Sequence, residues 1–284
     1  MSSKLYGLLG KNISYSRSPD MHNAAFRHFG IDAEYVLFDK GEDELEEFFG
    51  SALKGEISGF NVTVPHKIKI REMLKFAPSC SLDAVAEILG AVNTVKCDGG
   101  ELEGFNTDGR GFLESLQEDT GFDPAGKTVL VMGAGGASRA ISLYLASALA
   151  ITKKVFVFDI DKERSSSLVS AFKGTSSGNI LSAIEEEDIP TVLAEADLVV
   201  NATPLGTREG DPSPVSAEYL HKGLVVYDLV YARQTELVKE ARKKGLTAVD
   251  GLGMLINQAA LAFNIWTAKP LDEVKKVMKE AAGK

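Results

Sequence analysis

Hydrophobic positions along this chain follow two alternating periods. Leu5–Leu9, Glu34–Phe38 and Gly59–Val64 carry the short apolar runs of strands, and the stretches between them carry helical spacing. A loop over Gly10–Arg17 leads to Ser18 and Pro19, which predict a helix N-cap and first helical position. That helix runs to about Phe29 and stops at Gly30. Glu42–Leu53 predicts an acidic amphipathic helix, and further helices fall at about Lys67–Lys75 and Leu82–Leu89. Val92–Lys96 and Glu101–Phe105 flank Asp98-Gly99-Gly100, a hairpin pattern.

The second half is more regular. The run Thr128–Met132 enters a glycine-rich turn and then a helix to about Ala150. Lys154–Asp159 predicts the next strand and Lys162–Phe172 the next helix. Asp197–Asn201 and Leu224–Leu229 predict further buried strands, and Gly251–Thr267 and Leu271–Ala281 closing helices. Apolar strands alternating with helices imply a parallel sheet covered on both faces. The chain therefore reads as two α/β domains. One spans residues 1–107 and is completed by helices at 252–284; the other spans 108–251, with hinge crossings near Asp108 and Gly251.

Composition narrows the classes. A chain of 284 residues, 44% hydrophobic and 25% charged, is globular, with one large or two ordinary domains, and is neither disordered nor fibrous. A net charge of −9 argues against a nucleic-acid or anionic-membrane partner, yet leaves room for a small anion held by local donors. Two cysteines, Cys80 and Cys97, make no disulfide framework and fit a reducing compartment. The sequence opens without a signal-peptide pattern and has no run long enough to span a bilayer, so a cytoplasmic protein is expected. His22, His28, His66 and His221 show no metal-ligand spacing, and no metal site is expected.

Gly133-Ala134-Gly135-Gly136-Ala137-Ser138 follows an expected strand and opens an expected helix. Glycines there let the backbone turn tightly against a pyrophosphate, which the helix N-terminus and its dipole attract. Ser138 fills the third small position, where Gly or Ala is usual. Asp159, at the end of the next strand, is placed to accept hydrogen bonds from adenosine ribose hydroxyls and to repel a 2′-phosphate. That favours NAD; Arg164, within reach of the region, leaves NADP open, and a plain helix cap is the alternative role for Asp159.

Several stretches together resemble the shikimate dehydrogenase family. They are Ser16-Arg17-Ser18-Pro19 with His22-Asn23, Asn61-Val62-Thr63-Val64-Pro65-His66-Lys67, Gly90-Ala91-Val92-Asn93-Thr94 and Asn106-Thr107-Asp108-Gly109. The glycine-rich turn, Asn201-Ala202-Thr203-Pro204, Tyr227-Asp228-Leu229-Val230-Tyr231 and Asp250-Gly251-Leu252-Gly253-Met254 continue the match in order. The resemblance implies a substrate domain and a Rossmann-type doubly wound parallel sheet, with the active site in the cleft between them. It implies reversible reduction of 3-dehydroshikimate to shikimate with a nicotinamide cofactor. Lys67 and Asp108 match its catalytic pair. Hydride transfer to a ketone leaves an alkoxide, which an ammonium stabilises and protonates. By the same resemblance Ser16, Ser18 and Tyr231 bind the substrate carboxylate. Asn61, Thr63, Asn93 and Gln258 match positions that meet ring hydroxyls or the carboxylate. Leu229 and Gly251 match positions beside the nicotinamide, and Asn201, Ala202 and Thr203 the cofactor side of the crevice.

Two departures from the family pattern, and one residue in the substrate motif, qualify the resemblance. Asp159-Ile160-Asp161 stands where NADP-using members carry Asn-Arg-Thr, and resembles members that use NAD and also oxidise quinate. Ser18, a threonine in some quinate-oxidising members, leans towards shikimate. Thr235-Glu236 replaces the common Thr-Pro and implies a local loop effect. The leading expectation is a shikimate-pathway dehydrogenase, monomer or homodimer, acting on a small cyclohexanoid carboxylate. The alternatives are a catabolic NAD-dependent quinate/shikimate dehydrogenase and a non-catalytic dinucleotide-binding sensor.

Overall fold

The computed structural model describes residues 3–147, 150 and 152–283. It separates into two compact α/β units, one of Met1–Thr107 with Ile256–Lys284 and the other of Asp108–Leu255. Among the described residues, each unit is built on a six-stranded sheet.

The first sheet comprises β1 (Lys4–Gly10), β2 (Ala33–Asp39), β3 (Gly59–Val62), β4 (Cys80–Leu82), β5 (Thr94–Asp98) and β6 (Glu101–Phe105), in the order β2-β1-β3-β5-β6-β4. Helices α1 (Ser18–His28) and α2 (Leu45–Leu53) are the crossovers that keep β2, β1 and β3 parallel. From β3 to β5 and from β5 to β6 the sheet turns antiparallel. Gly99 and Gly100, at φ 58° and 89°, make the two-residue turn that joins β5 to β6, a backbone shape that suits glycine. One face of this sheet buries Leu9, Phe48, Phe49, Phe60, Val62, Ile70 and Val95. A cluster of rings also fills this unit: Tyr6, Phe26, Phe263 and Trp266 pack with centroids 5.0–5.1 Å apart. Helices α3 (Lys67–Phe76) and α4 (Ala84–Leu89) complete this part of the chain.

The second unit begins with α5 (Asp108–Thr120) and continues through β7 (Thr128–Met132), α6 (Gly136–Ala146), β8 (Lys154–Phe158), α7 (Lys162–Ala171) and β9 (Leu181–Ala183). It goes on with α8 (Ile189–Glu195), β10 (Leu198–Asn201), β11 (Val225–Asp228), α9 (Glu236–Lys243) and β12 (Ala248–Val249). Its strands are parallel throughout, in the order β12-β11-β10-β7-β8-β9. This is the doubly wound order, with its topological switch between β7 and β10, where such sheets bind ligands beyond their strand ends. Helices α10 (Leu252–Thr267) and α11 (Leu271–Ala281) close the chain, and the division between units falls inside α10.

Three local expectations are corrected. Ser18 is the first residue of α1, and Arg17 holds the cap position with φ −88° and ψ −1° and no side-chain cap bond. The Ser18 side chain turns instead to Ser16, whose hydroxyl donates to it at 3.2 Å. Leu82, expected to begin a helix, ends the edge strand β4; Asp83 then caps α4 by accepting the Ala86 N–H at 2.7 Å. A three-residue strand is too short to display a period. The helix expected to reach Ala150 ends at Ala146, and residues 148 and 149 lie outside the described residues, as do residues 1 and 2 at the start of the chain.

Candidate functional site

At the switch point the chain leaves β7 through Gly133, whose φ of 101° no side-chain-bearing residue adopts easily. A Cβ there would lie 2.8 Å from the Ala202 carbonyl oxygen and 3.2 Å from Thr203 Cγ2. Glycine is therefore what lets the loops after β7 and β10 touch. Gly135 caps α6 in an extended conformation, and Gly136, Ala137 and Ser138 form its first turn. Nothing stands within 4 Å of an added Gly135 Cβ, so the approach to the helix N-terminus is open. Ser138 is fully buried with its hydroxyl donating to the Gly133 carbonyl, which explains how serine fills the third small position.

Asp159 closes the loop from β8. Its carboxylate accepts the Ala134 N–H at 2.7 Å and the Asp161 N–H at 2.9 Å. The cap of α7 is Asp161, which accepts from the Glu163 N–H, so Asp159 does not have the cap role. Each Asp159 oxygen keeps lone-pair capacity for a further donor. Arg164 is ion-paired with Asp161 at 3.2 Å, and Lys162 with Glu185. Glycine loop, helix N-terminus and carboxylate together fit a dinucleotide: N–H groups for the pyrophosphate and an acceptor for ribose hydroxyls.

The ends of β10 and β11 are locked by Asp228, which the sequence reading quoted within a motif but gave no role. It is wholly buried and accepts from Asn201 Nδ2 at 2.9 Å, the Val230 N–H at 3.1 Å and the Thr235 hydroxyl at 2.6 Å. Burial raises its pKa, and these three donors oppose the rise. Asn201 in turn accepts from the Thr203 N–H and hydroxyl. Leu229 N–H donates to the Asn201 carbonyl at 2.9 Å. A Cβ on Gly251 would lie 2.1 Å from the Leu229 carbonyl oxygen, so the two candidate nicotinamide neighbours press backbone to backbone.

In the first unit, Lys67 opens α3, half-buried, with its helix N-terminus beside it. His66 is buried with Nε2 at 2.8 Å from the Lys40 carbonyl, which occupies it structurally. Thr63 is anchored by its N–H to the Leu9 carbonyl at 2.9 Å. Asp108, 5% exposed, opens α5 in the second unit, where the helix dipole favours a carboxylate. Tyr231 lies half-buried in the loop after β11.

The other substrate candidates fall on two sets of hydrogen bonds, the pair Ser16–Ser18 and a run from Tyr35 to Gln258. Ser16 donates to Ser18 at 3.2 Å. Tyr35 Oη donates to Asn61 Oδ1 at 2.8 Å, and Asn61 Nδ2 donates to the Asn93 carbonyl at 3.2 Å and to Thr94 Oγ1 at 3.0 Å. Thr94 donates to Asn93 Oδ1 at 3.0 Å, Asn93 Nδ2 to Thr107 Oγ1 at 2.9 Å, and Thr107 to the Gln258 carbonyl at 3.1 Å. Tyr35, Thr94 and Thr107 were missed as site residues. The two threonines stood inside quoted motifs, whereas Tyr35, in the alternating β2, gave no signal at all. Among the described residues no cluster of His, Cys, Asp or Glu is arranged to hold a metal ion, and no helix is long and apolar enough to cross a membrane.

Residues 8–95 match the family model of the shikimate dehydrogenase substrate binding domain, and residues 251–282 that of the shikimate 5'-dehydrogenase C-terminal domain. The chain is 41% identical to shikimate dehydrogenase (NADP(+)) of Methanopyrus kandleri, over 98% of this chain and 94% of that protein. Its fold is similar to that of shikimate 5-dehydrogenase from Listeria monocytogenes, solved with shikimate and NAD, at TM-score 0.85 and 34% identity over 97% and 96% of the two chains. It is also similar to quinate dehydrogenase from Corynebacterium glutamicum in complex with NAD, at TM-score 0.86 and 30% identity over 98% and 99%.

Proposed function

The chain belongs to the shikimate dehydrogenase family, and from that premise we propose that it catalyses the reversible reduction of 3-dehydroshikimate to shikimate with a nicotinamide cofactor. We assign the substrate to the unit of Met1–Thr107 with Ile256–Lys284 and the cofactor to Asp108–Leu255. The observation that carries this reading is a set of neutral groups, the Ser16–Ser18 pair and the run from Tyr35 to Gln258. Serine, asparagine and threonine groups distant in sequence are gathered on these hydrogen bonds, and their chemistry suits a carboxylated polyol.

When bound, the nicotinamide supplies the hydride in one direction and takes it in the other. Lys67 gives a proton to the oxygen that gains negative charge during reduction, and recovers it in oxidation. Asp108 accepts a hydrogen bond from the reacting hydroxyl and orients the ammonium. Ser16, Ser18 and Tyr231 donate to the substrate carboxylate; Thr63, Asn93 and Gln258 meet the ring hydroxyls, with Asn61 beneath them. Gly133 to Ser138 hold the pyrophosphate, Asp159 the ribose, and Asn201, Ala202, Thr203, Leu229 and Gly251 the nicotinamide.

On the cofactor we read NAD as preferred. Asp159 and Asp161 bring negative charge to the ribose end, and the nearby cations Arg164 and Lys162 are already paired. The quinate dehydrogenase neighbour, with its NAD, supports a second reading in which quinate is the better substrate. Initial rates with shikimate or quinate, each with NAD or NADP, decide among these. Highest kcat/KM for shikimate with NAD is expected. A shikimate–NADP optimum overturns the role given to Asp159, and a quinate optimum overturns the substrate order.

A further inference from the structure

Two loops leave the carboxyl ends of β10 and β11, neighbouring parallel strands that set Asn201 opposite Asp228. The loop after β10 winds around Asn201. Asn201 Oδ1 accepts the Thr203 N–H at 3.1 Å and the Thr203 hydroxyl at 2.6 Å, and its Nδ2 donates to the Leu205 carbonyl at 3.1 Å. Thr203 Oγ1 accepts the Leu205 N–H at 3.1 Å. Further on, Asp211 accepts the N–H groups of Gly206 and Arg208 at 3.0 and 2.9 Å. The loop after β11 ends at Thr235, whose Oγ1 accepts the Val238 N–H at 3.3 Å and so caps α9.

Asp228 joins these two loops. Its Oδ1 accepts Asn201 Nδ2 from one and the Val230 N–H from the other, and its Oδ2 accepts the Thr235 hydroxyl. The loops also meet further out: a Cβ on Gly206 would lie 2.6 Å from Thr235 Cγ2. Asp228 is fully buried, so it acts on a ligand only through what it holds. An amide of the same shape cannot take its place, because three donors face its two oxygens and an amide offers one acceptor atom and one donor atom. The sheet order says which part of the cofactor these loops face. Asp159 follows β8 and the glycine loop follows β7, with β10 and β11 on the far side of β7 from β8. A dinucleotide with its adenosine ribose at Asp159 and its pyrophosphate on the glycine loop carries its other half over β10 and β11.

We propose that Asp228 is a positioning residue for the nicotinamide half of the cofactor. It sets the loops after β10 and β11 at one separation, so that Asn201–Thr203 and Leu229 receive the ring in the orientation hydride transfer needs. This rests on the cofactor reading given above. None of its three bonds reaches the glycine loop or Asp159, so its loss leaves the adenosine half held as before.

ADP-ribose, the cofactor without its nicotinamide, separates the two halves; its 2′-phosphate takes that part if NADP is the better cofactor. In Asp228→Asn, kcat/KM for the cofactor in shikimate oxidation should fall about tenfold or more, the effect of a buried hydrogen bond lost and a reacting ring displaced. The inhibition constant of ADP-ribose and the KM for shikimate should stay within about twofold. Thr235→Val removes one donor at constant shape and should shift the same ratio, whereas Thr235→Ser, which restores the hydroxyl, should return it to the parent value. The valine also uncaps α9, which thermal unfolding reads separately. Equal losses for cofactor and ADP-ribose, an unchanged kcat/KM, or a serine variant as impaired as the valine would overturn the proposal. Should Asp228→Asn fail to fold, the Thr235 pair decides. If the unaltered protein turns over no shikimate with either cofactor, the functional reading falls and this proposal with it. If it does and the variants are silent, only the proposal falls.

Discussion

The two candidate ligand surfaces are built of different materials. In the first unit, the Ser16–Ser18 pair and the run from Tyr35 to Gln258 are made mainly of side chains, all of them neutral: hydroxyls, a phenol and amides. In the second, the switch-point surface is made largely of backbone: Gly133 against Ala202, Gly251 against Leu229, and the open N-terminus of α6. The buried and half-buried carboxylates there, Asp228 and Asp159, face inward to N–H and hydroxyl donors. A carboxylated ring needs donors at particular places, which side chains can supply without adding charge. A pyrophosphate needs close approach to an array of N–H groups, which only bare backbone allows. The first surface should therefore be sensitive to removal of atoms and the second to their addition.

Removal has its largest effect at Lys67, where the chemistry is assigned. Lys67→Ala should lower kcat by about 10²-fold or more, roughly 2.7 kcal/mol of barrier, with little change in substrate KM. Steady-state rates with shikimate check this, and an unchanged kcat would take Lys67 out of the reaction. Addition has its counterpart at Gly251. A methyl group there would press 2.1 Å from the Leu229 carbonyl oxygen, a backbone atom that cannot swing aside. Gly251→Ala should cost about 1–3 kcal/mol of unfolding free energy, as overpacking does, and raise the cofactor KM. Gly135→Ala, with nothing within 4 Å of the new atom, is the contrasting variant and should cost less than about 1 kcal/mol in denaturant titration.

His22, fully buried in the first unit with its ring stacked on Tyr35 at 4.2 Å between centroids, has its own signature in pH. The His22 pKa is lowered by burial to about 3 in the fold, and an unfolded histidine titrates near its ordinary value of 6.5. The unfolded chain thus takes up a proton that the folded one refuses. Stability from this group is complete above about pH 6.5 and is lost as pH falls towards 3. The loss between pH 7 and pH 5 is about 2 kcal/mol. Urea unfolding of His22→Phe, which keeps a ring against Tyr35, should show that much less acid sensitivity than the parent chain. Equal slopes would mean that His22 is protonated in the fold.

How much of this was legible in the sequence differs between the two surfaces. The glycine run, Asp159 and the strands around them announce themselves, because backbone conformation is dictated locally by residue type. The long strands and amphipathic helices were readable for the same reason. β4, β9 and β12, of two or three residues, carry too few positions for a period to show. Ser18 beside Pro19 looks like a cap, but its hydroxyl answers to Ser16. Tyr35 reads as an ordinary strand aromatic, because its partners come from residues 22 and 61, which only the fold assembles. Asp228 likewise reads as the polar end of a strand until Asn201 and Thr235 arrive from either side.

Asp159 is where the second surface, made of backbone, depends on a side chain. Its two oxygens brace the glycine loop through Ala134 and the following turn through Asp161, and on the proposed reading they also carry the negative charge at the ribose end. Asp159→Ala removes an acceptor for ribose hydroxyls and the charge that opposes a 2′-phosphate. It should raise KM for NAD about tenfold, near 1.4 kcal/mol, while KM for NADP rises less or falls. The brace on Ala134 complicates a reading from NAD alone, since a loosened loop weakens both cofactors equally. Asp159→Asn separates the two contributions. The amide retains one acceptor oxygen for the Ala134 N–H, gives up the acceptor for the Asp161 N–H and loses the charge, so NAD binding should recover in part while the NAD-to-NADP ratio stays shifted. If both variants move NAD and NADP by the same factor, Asp159 is a brace for the loop and the choice of cofactor is made elsewhere. If only the alanine variant shifts the ratio, the acceptor geometry outweighs the charge.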